Sequence, residues 1–129
     1  IYLYIMRDMH EYFRGILKQI LDSYAVIENL NDKPADLEVL QIEMAKIMGF
    51  FTIIFRKRDK MNDISNEFSN LQKIIGVYLK NYDFSREIEL LLRTFSEDQN
   101  RVKNIRIAVL NSLKDKKLID EIYTESKEL

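Results

Sequence analysis

The sequence of 129 residues contains no cysteine, a single histidine, one proline and three glycines. Without cysteine the chain has no disulfide, no thiol nucleophile and no thiolate metal site, and in so small a domain this absence favours a reducing compartment. We therefore expect a cytoplasmic protein, with a secreted or membrane-adjacent location as the alternative. Acidic and basic residues nearly balance at a formal net charge of -1, so no overall field draws the chain to nucleic acid or to anionic lipid.

Long apolar runs are also absent. The most apolar stretch, residues 47–55, has nine residues, whereas a membrane-spanning helix needs about 20, so this stretch predicts a buried core segment. Residues 1–6 are apolar as well. We interpret them as a buried or interface-facing helix start, and the end of a preceding membrane span is the alternative. Since the chain opens on Ile1, we expect it to be part of a longer protein.

What the sequence has throughout is a helical spacing of apolar residues. Over residues 2–27 they recur three and four positions apart, which places them on one face of a helix. They are Tyr2, Met6, Met9, Phe13, Ile16, Ile20, Tyr24 and Ile27. This helix should end near residues 29–33, because Pro34 disfavours a helical residue before it. Pro34 then suits the first turn of a second helix, where Asp36 and Glu38 lie favourably near the positive end.

The second helix is apolar around most of its circumference, which predicts a central position in the fold. Its apolar residues are Leu37, Leu40, Met44, Ile47, Met48, Phe51, Ile54 and Phe55. The same spacing continues through residues 61–78, but one helix over residues 35–81 would be about 70 Å long. A compact domain of this size has a diameter of roughly 36 Å. We therefore predict a break between Arg56 and Asp63.

Capping residues divide the second half of the chain. Residues 81–85 predict a loop, with Asp83 or Ser85 as the N-cap of a short helix. Ser96 and Gln99 match the Ser/Thr-x-x-Glu/Gln capping box, in which each side chain bonds the backbone N–H of the other residue. This motif predicts that a new helix starts at Ser96.

The last helix is predicted to begin with Asp115 as its cap. Strands are not predicted anywhere, because the sequence shows neither a period-two alternation nor an Asn-Gly or Asp-Gly hairpin turn. The sequence therefore predicts a single all-α domain over residues 1–129, built as an antiparallel bundle of about five to six helices.

The histidine does not lie in a recognisable metal or catalytic motif. A helical metal site needs a second ligand three or four residues away. Around His10 those positions hold Met6, Arg7, Phe13 and Arg14, two of which are cations that would repel a metal. We predict a solvated surface histidine, with no metal site and no cofactor.

The carboxylates do not form an acid and base pair either. Glu87 and Glu89 are two residues apart, and Glu38 and Glu43 are five apart, spacings that do not share a helix face. Catalysis would require two such groups to converge in a cleft. We interpret them as charged outer faces of amphipathic helices and expect no enzymatic activity.

Two short resemblances suggest other functions. Residues 10–14, His-Glu-Tyr-Phe-Arg, resemble the His-Glu-x-Arg start of a histidine-kinase dimerisation helix, which implies a phosphoacceptor histidine on a two-helix hairpin. Here Arg14 lies one place further along, Ile16 replaces the usual proline, and no Asn- or Gly-rich ATP-binding boxes follow. The pairs Tyr12-Phe13 and Phe50-Phe51 resemble the aromatic spacing of interferon-like chains, which implies a secreted helical cytokine.

A basic cluster follows the second helix at Arg56, Lys57, Arg58 and Lys60. Nucleic-acid-binding domains usually combine such a cluster with a basic excess, interleaved aromatic residues or a helix-turn-helix. None of these features is present, so we interpret the cluster as a solvated face and expect no nucleic-acid partner.

The first two helices carry more large apolar residues than modest helices need to cover one another. Such a surplus predicts an apolar helix face reserved for a protein partner or for dimerisation. The residues predicted for this partner or ligand surface are Met6, Met9, Phe13, Met44, Met48 and Phe51. The predicted function is therefore a non-enzymatic interaction or regulatory module.

The alternative is a small-molecule-binding sensor domain of a transcription regulator. Its apolar ligand would lie beside Gly49, a glycine inside a helix that makes room for a neighbour or a ligand. The residues that would line its cavity are Met44, Met48, Phe51, Phe68 and Leu71.

Overall fold

The computed structural model describes the backbone of residues 2–57, 66–81, 83–113 and 115–126, and the side chains of residues 11–57, 69–81, 83, 85–113 and 115–125. These residues form six α-helices and no strand. The helices are α1 (Tyr2–Glu28), α2 (Asp36–Arg56), α3 (Asn66–Asn81), α4 (Phe84–Thr94), α5 (Arg101–Ser112) and α6 (Lys116–Ser126). They pack on one another around a shared core, which confirms the predicted all-α helical bundle.

The helices α1 and α2 form an antiparallel hairpin. Tyr12 lies beside Lys57, and a surface groove is lined by Gln19 together with Phe50. Residue numbers thus fall along α2 as they rise along α1. The end of α1 at Glu28 agrees with the predicted end near residues 29–33.

The connection between α1 and α2 corrects one detail of the prediction. Pro34 lies in a turn before α2 rather than in its first turn, because the helix begins at Asp36. The Asp36 carboxylate accepts hydrogen bonds from the backbone N–H groups of Asn31 (3.0 Å) and Lys33 (3.1 Å), which holds the turn against the helix start. Asp36 and Glu38 do lie in the first turn of α2, as predicted.

The helix α2 ends at Arg56, and α3 begins at Asn66, so the described residues between 35 and 81 belong to two separate helices. The two pack side by side and antiparallel: Phe51 stacks on Tyr78 with ring centroids 6.3 Å apart, and Phe55 lies over Gly76. The predicted break is confirmed, although most of the connection itself lies outside the described residues. The helix α2 is central, as expected, since it packs against α1, α3, α4 and α5.

Two of the three capping predictions agree with the helix starts, and one is wrong. Asp83 is the N-cap of α4, and its carboxylate accepts a hydrogen bond from the Arg86 N–H at 3.2 Å. The helix α6 begins directly after Asp115. The predicted capping box at Ser96 does not start a helix, because α5 begins only at Arg101.

The physical reason for that error is a competing carboxylate. The Asp98 side chain accepts hydrogen bonds from the Asn100 N–H (2.7 Å) and from the Asn104 amide (3.1 Å). Short polar side chains favour turns by bonding nearby backbone in this way. The chain therefore stays in turn conformation until Arg101.

The core lies between the α1–α2 hairpin and the other helices. Its fully buried members include Phe13, Ile20, Ile47, Leu71 and Ile105. Tyr24 is buried among them and donates a hydrogen bond from its hydroxyl to the Leu113 carbonyl at 2.7 Å, which ties α1 to the end of α5. Burial raises the pKa of the Tyr24 hydroxyl well above its ordinary value, so it remains a donor at physiological pH.

Candidate interaction surface

Half of the predicted partner surface is buried in the core. Phe13, Met44 and Phe51 are almost completely buried, and Met48 is half-buried against them. Side chains at these positions pack one helix of the chain on another and present no free apolar face. The side chains of Met6 and Met9, the other two predicted residues, lie outside the described ones.

The exposed apolar residues of the hairpin are different ones. Tyr12 is 45% exposed, Val26 40% and Ile42 49%. They do not follow the apolar stripe that predicted the core, and sequence reasoning therefore missed them. We call the solvent-facing side of the hairpin the outer face. It contains Tyr12, Gly15, Gln19 and Val26 on α1, and Ile42, Ala45, Lys46 and Gly49 on α2.

Both glycines of the outer face have open space beside them. A Cβ atom added at Gly15 or at Gly49 would meet no atom of the described residues within 4 Å. Close packing among these residues therefore does not account for either glycine, although glycine inside a helix costs up to about 1 kcal/mol relative to alanine. At Gly76 the reverse holds, because a Cβ atom there would lie 2.8 Å from the Phe55 ring.

A shallow groove of ≈ 340 Å³ runs between the two helices. Its floor contains two buried polar side chains, Ser23 and Glu43. Glu43 pairs with the Lys46 ammonium at 3.0 Å, and Phe50 and Val26 form part of the walls. The groove thus joins apolar walls to a paired buried carboxylate, a combination suited to a side chain of a partner.

Charge divides the hairpin along its length. The half made of residues 11–19 and 46–57 contains five basic side chains and one acidic side chain. The half made of residues 20–28 and 36–45 contains five acidic side chains and no basic one. The two halves of the hairpin therefore differ in the sign of their charge, although the chain as a whole has almost no net charge.

The predicted basic cluster lies at the positive end of the hairpin. Arg56 and Lys57 are exposed, and the Lys57 ammonium lies 4.5 Å from the centroid of the Tyr12 ring. A cation over an aromatic face contributes about 0.5–1 kcal/mol at an exposed site. Arg58 and Lys60 lie outside the described residues.

A larger surface cleft of ≈ 480 Å³ lies where the α1–α2 connection meets the start of α5. Beside it, Asp32 and Arg106 form a two-pronged ion pair with N···O distances of 2.7 and 3.0 Å. The hydrogen bonds from Arg106 hold the pKa of Asp32 below its usual range, and the pair raises the pKa of Arg106. The guanidinium of Arg101 donates to the Leu92 carbonyl. These bonds connect the α1–α2 connection and the end of α4 to α5. We therefore interpret them as stabilising the fold.

The candidates for chemistry are scattered. The side chain of His10 lies outside the described residues, and within them no three His, Asp or Glu side chains are grouped as metal ligands. Glu38 is exposed whereas Glu43 is buried. Glu89 pairs with Arg93 at 2.8 Å on the surface of α4.

The residues of the ligand-sensor alternative are distributed in the core. Met44, Phe51 and Leu71 are buried, and neither of the two clefts above is lined by them. The Phe68 side chain lies outside the described residues. The sensor function stays a prediction without a cavity that favours it.

Across the described helices, none is both long and apolar enough to cross a membrane.

Comparison with known proteins identifies no function for this surface. No protein-family model, curated protein or solved structure matches this chain.

Proposed function

We propose that this chain is a non-enzymatic helical interaction module that binds a protein partner through the outer face of the α1–α2 hairpin. The observation that carries the proposal is the composition of that face: Ile42, Val26 and Tyr12 remain 40–49% exposed, Val26 lines the groove, and a Cβ atom added at Gly15 or Gly49 would meet no atom of the described residues within 4 Å. Apolar area that stays exposed beside a groove and is rimmed by charge is typical of interaction sites.

The electrostatics of the face support a protein partner over nucleic acid. A nucleic-acid-binding domain usually combines a basic patch or stripe with an excess of basic residues, whereas this hairpin has basic residues in one half, acidic residues in the other and a chain without basic excess. A partner with the opposite arrangement of charges would be steered into one orientation. A cytoplasmic location and the absence of a nucleic-acid partner belong to the same proposal.

Site-specific photo-cross-linking tests the proposal. Because the sequence contains no cysteine, Ile42→Cys provides a unique attachment point for a maleimide-linked benzophenone. The matched control is Ile107→Cys on α5, where the native side chain is similarly exposed at 41%, compared with 49% for Ile42. Each labelled protein is irradiated in an extract of the source cells and analysed by mass spectrometry.

We expect discrete protein adducts from position 42 and none from position 107. Equal labelling from both positions, or no adduct from position 42, would overturn the proposal. Circular dichroism of both variants checks that each label leaves the helices intact.

A further inference from the structure

Six residues form a continuous ridge on the side of α2 opposite its buried residues. They follow one another at alternating steps of four and three, the spacing of a single helix face. The α2 ridge consists of Glu38, Ile42, Ala45, Gly49, Thr52 and Arg56. All are exposed except Thr52, which is half-buried. No other helix of the described chain covers this ridge.

The order of residues along the ridge is symmetric about the level of Ile47. Glu38 and Arg56 are equally far from this level, and so are Ala45 and Gly49. A two-fold axis perpendicular to a helix reverses its direction, so it would bring each of these residues opposite its counterpart in a second copy. Such an isologous contact needs a surface that is complementary to itself.

The charges at the two ends of the ridge make it complementary to a second, antiparallel copy of itself. Glu38 and Arg56 are 18 residues apart, which is about five turns and 27 Å of helix, so both project from the same side of α2. Neither forms an ion pair with another described residue. In an antiparallel pair of α2 helices, Glu38 of each copy faces Arg56 of the other, and the acidic half of each hairpin faces the basic half.

The small residues in the middle of the ridge leave room for the same ridge of a second copy. Ala45 and Gly49 are small, and a Cβ atom at Gly49 would meet no atom of the described part of the chain within 4 Å, so a second helix can approach the backbone closely. Thr52 donates its hydroxyl to the Met48 carbonyl at 2.9 Å, so covering it leaves no unpaired donor. Ile42, at 49% exposure, supplies apolar area on both sides of the crossing.

We infer that the occupant of the α2 ridge is a second copy of this chain, bound antiparallel about a two-fold axis at the level of Ile47. This inference deepens the proposed function by naming its partner, and it rests on that function. Charge complementarity favours a second copy because both ends of the ridge are satisfied at once, which an acidic or a basic partner alone would not achieve.

Sedimentation velocity of the purified protein over a range of concentrations tests the inference. We expect a reversible monomer–dimer equilibrium that weakens as salt is raised from about 50 mM to about 500 mM, because exposed charge pairs are screened. Glu38→Arg places like charges at both ends of the pair and should raise the dimer Kd about tenfold. The double variant Glu38→Arg with Arg56→Glu restores opposite charges and should recover the wild-type Kd to within about twofold.

Two further variants separate the ridge from general effects. Glu121→Arg makes the same change of charge at an exposed position of α6 and should leave the dimer Kd unchanged. Gly49→Leu fits the open space of the monomer but blocks close approach of a second helix, so it should abolish the dimer while the melting temperature of the monomer is kept.

A wild-type protein that stays monomeric at low salt and high concentration would overturn self-association, and so would a dimer indifferent to Glu38→Arg. A double variant as weak as Glu38→Arg would overturn the antiparallel register. These failures are distinguishable from failure of the proposed function. Photo-cross-linking from position 42 to a different protein, or to a segment of a longer form of this chain, would keep the function and replace the occupant.

Discussion

On its inner side, α2 buries Leu40, Ile47 and Ile54 completely, whereas on its outer side Ile42 is half exposed and a Cβ atom added at Gly49 would meet no atom of the described residues within 4 Å. The inner residues are accounted for by the core that they share with α1. The outer ones contribute little to the fold of a single chain. The difference shows that the apolar character of a residue does not by itself tell whether it lies in the core or at the surface of this hairpin. Its position around the helix determines which of the two it is.

The largest expected effect comes from matched isoleucine truncations on the two sides of α2. Ile47→Ala should lower the free energy of unfolding by about 2–5 kcal/mol, because it removes buried area and leaves a cavity. Ile42→Ala should change it by less than about 0.5 kcal/mol, as is usual for exposed positions. Urea unfolding below the concentration of self-association measures both values, and similar losses would contradict the distinction between the two sides.

Two tyrosines of α1 provide the next test. Tyr24→Phe leaves the buried Leu113 carbonyl without its hydrogen bond and should lower the free energy of unfolding by about 1–3 kcal/mol. Tyr12 is 45% exposed, so its hydroxyl can be hydrated and Tyr12→Phe should have little effect. Thermal and urea unfolding of the two variants decide the matter. A Tyr24→Phe protein as stable as the wild type would exclude a stabilising role for this bond.

The sequence anticipates the local features of the fold well. The apolar spacing over residues 2–27 predicts α1, the length argument predicts the break after Arg56, and Asp83 caps α4 as one of two predicted alternatives. These outcomes depend on neighbours a few residues away. The capping box at Ser96 fails for a reason that is also local, since Asp98 offers the backbone a competing hydrogen bond.

Contacts between distant parts of the chain are what the sequence does not show. Tyr24 and Leu113 are 89 residues apart, and Asp32 and Arg106 are 74 apart, so no spacing rule connects them. The burial of Phe13 and Met44 is of the same kind, because the spacing along one helix does not show which other helices cover its apolar residues. The four-and-three spacing of the α2 ridge indicates in the sequence which side of α2 faces solvent.

Substitution by alanine should change the free energy of unfolding in opposite directions at Gly76, which packs against Phe55, and at Gly49, which lies on the outer face. At Gly76 a methyl group would lie 2.8 Å from the Phe55 ring. Overpacking of this kind costs about 1–3 kcal/mol, so Gly76→Ala should be net destabilising by about 1 kcal/mol after the gain in helix propensity. Gly49→Ala meets no obstacle and should stabilise the monomer by up to about 1 kcal/mol.

Chemical denaturation of the two alanine variants measures both changes in the free energy of unfolding. A stabilising Gly76→Ala would contradict the expectation and would mean that the Phe55 ring moves aside without loss of packing. The double variant Gly76→Ala with Phe55→Leu examines that point, since a smaller side chain should remove part of the clash.

The smallest effect concerns two ion pairs. Asp32 has a backbone φ of 62°, which asparagine also adopts readily, so Asp32→Asn removes the charge without straining the turn. Loss of the pair with Arg106 should lower the free energy of unfolding by about 1 kcal/mol at pH 7. Asp22→Asn, which removes an exposed pair with Lys18, should cost no more than about 0.5 kcal/mol.

The pH dependence of the free energy of unfolding tests whether the charge of the Asp32 carboxylate causes this stabilisation. Arg106 holds the pKa of Asp32 below its usual range in the folded state, while the unfolded state has the ordinary value of about 3.9. The stabilisation is therefore fully present above about pH 4 and disappears as the pH falls through the lower folded-state pKa. Urea unfolding of wild type and Asp32→Asn should differ at pH 7 and converge in acid. A difference that persists unchanged below the folded-state pKa would assign the effect to the shape of the turn instead of to its charge.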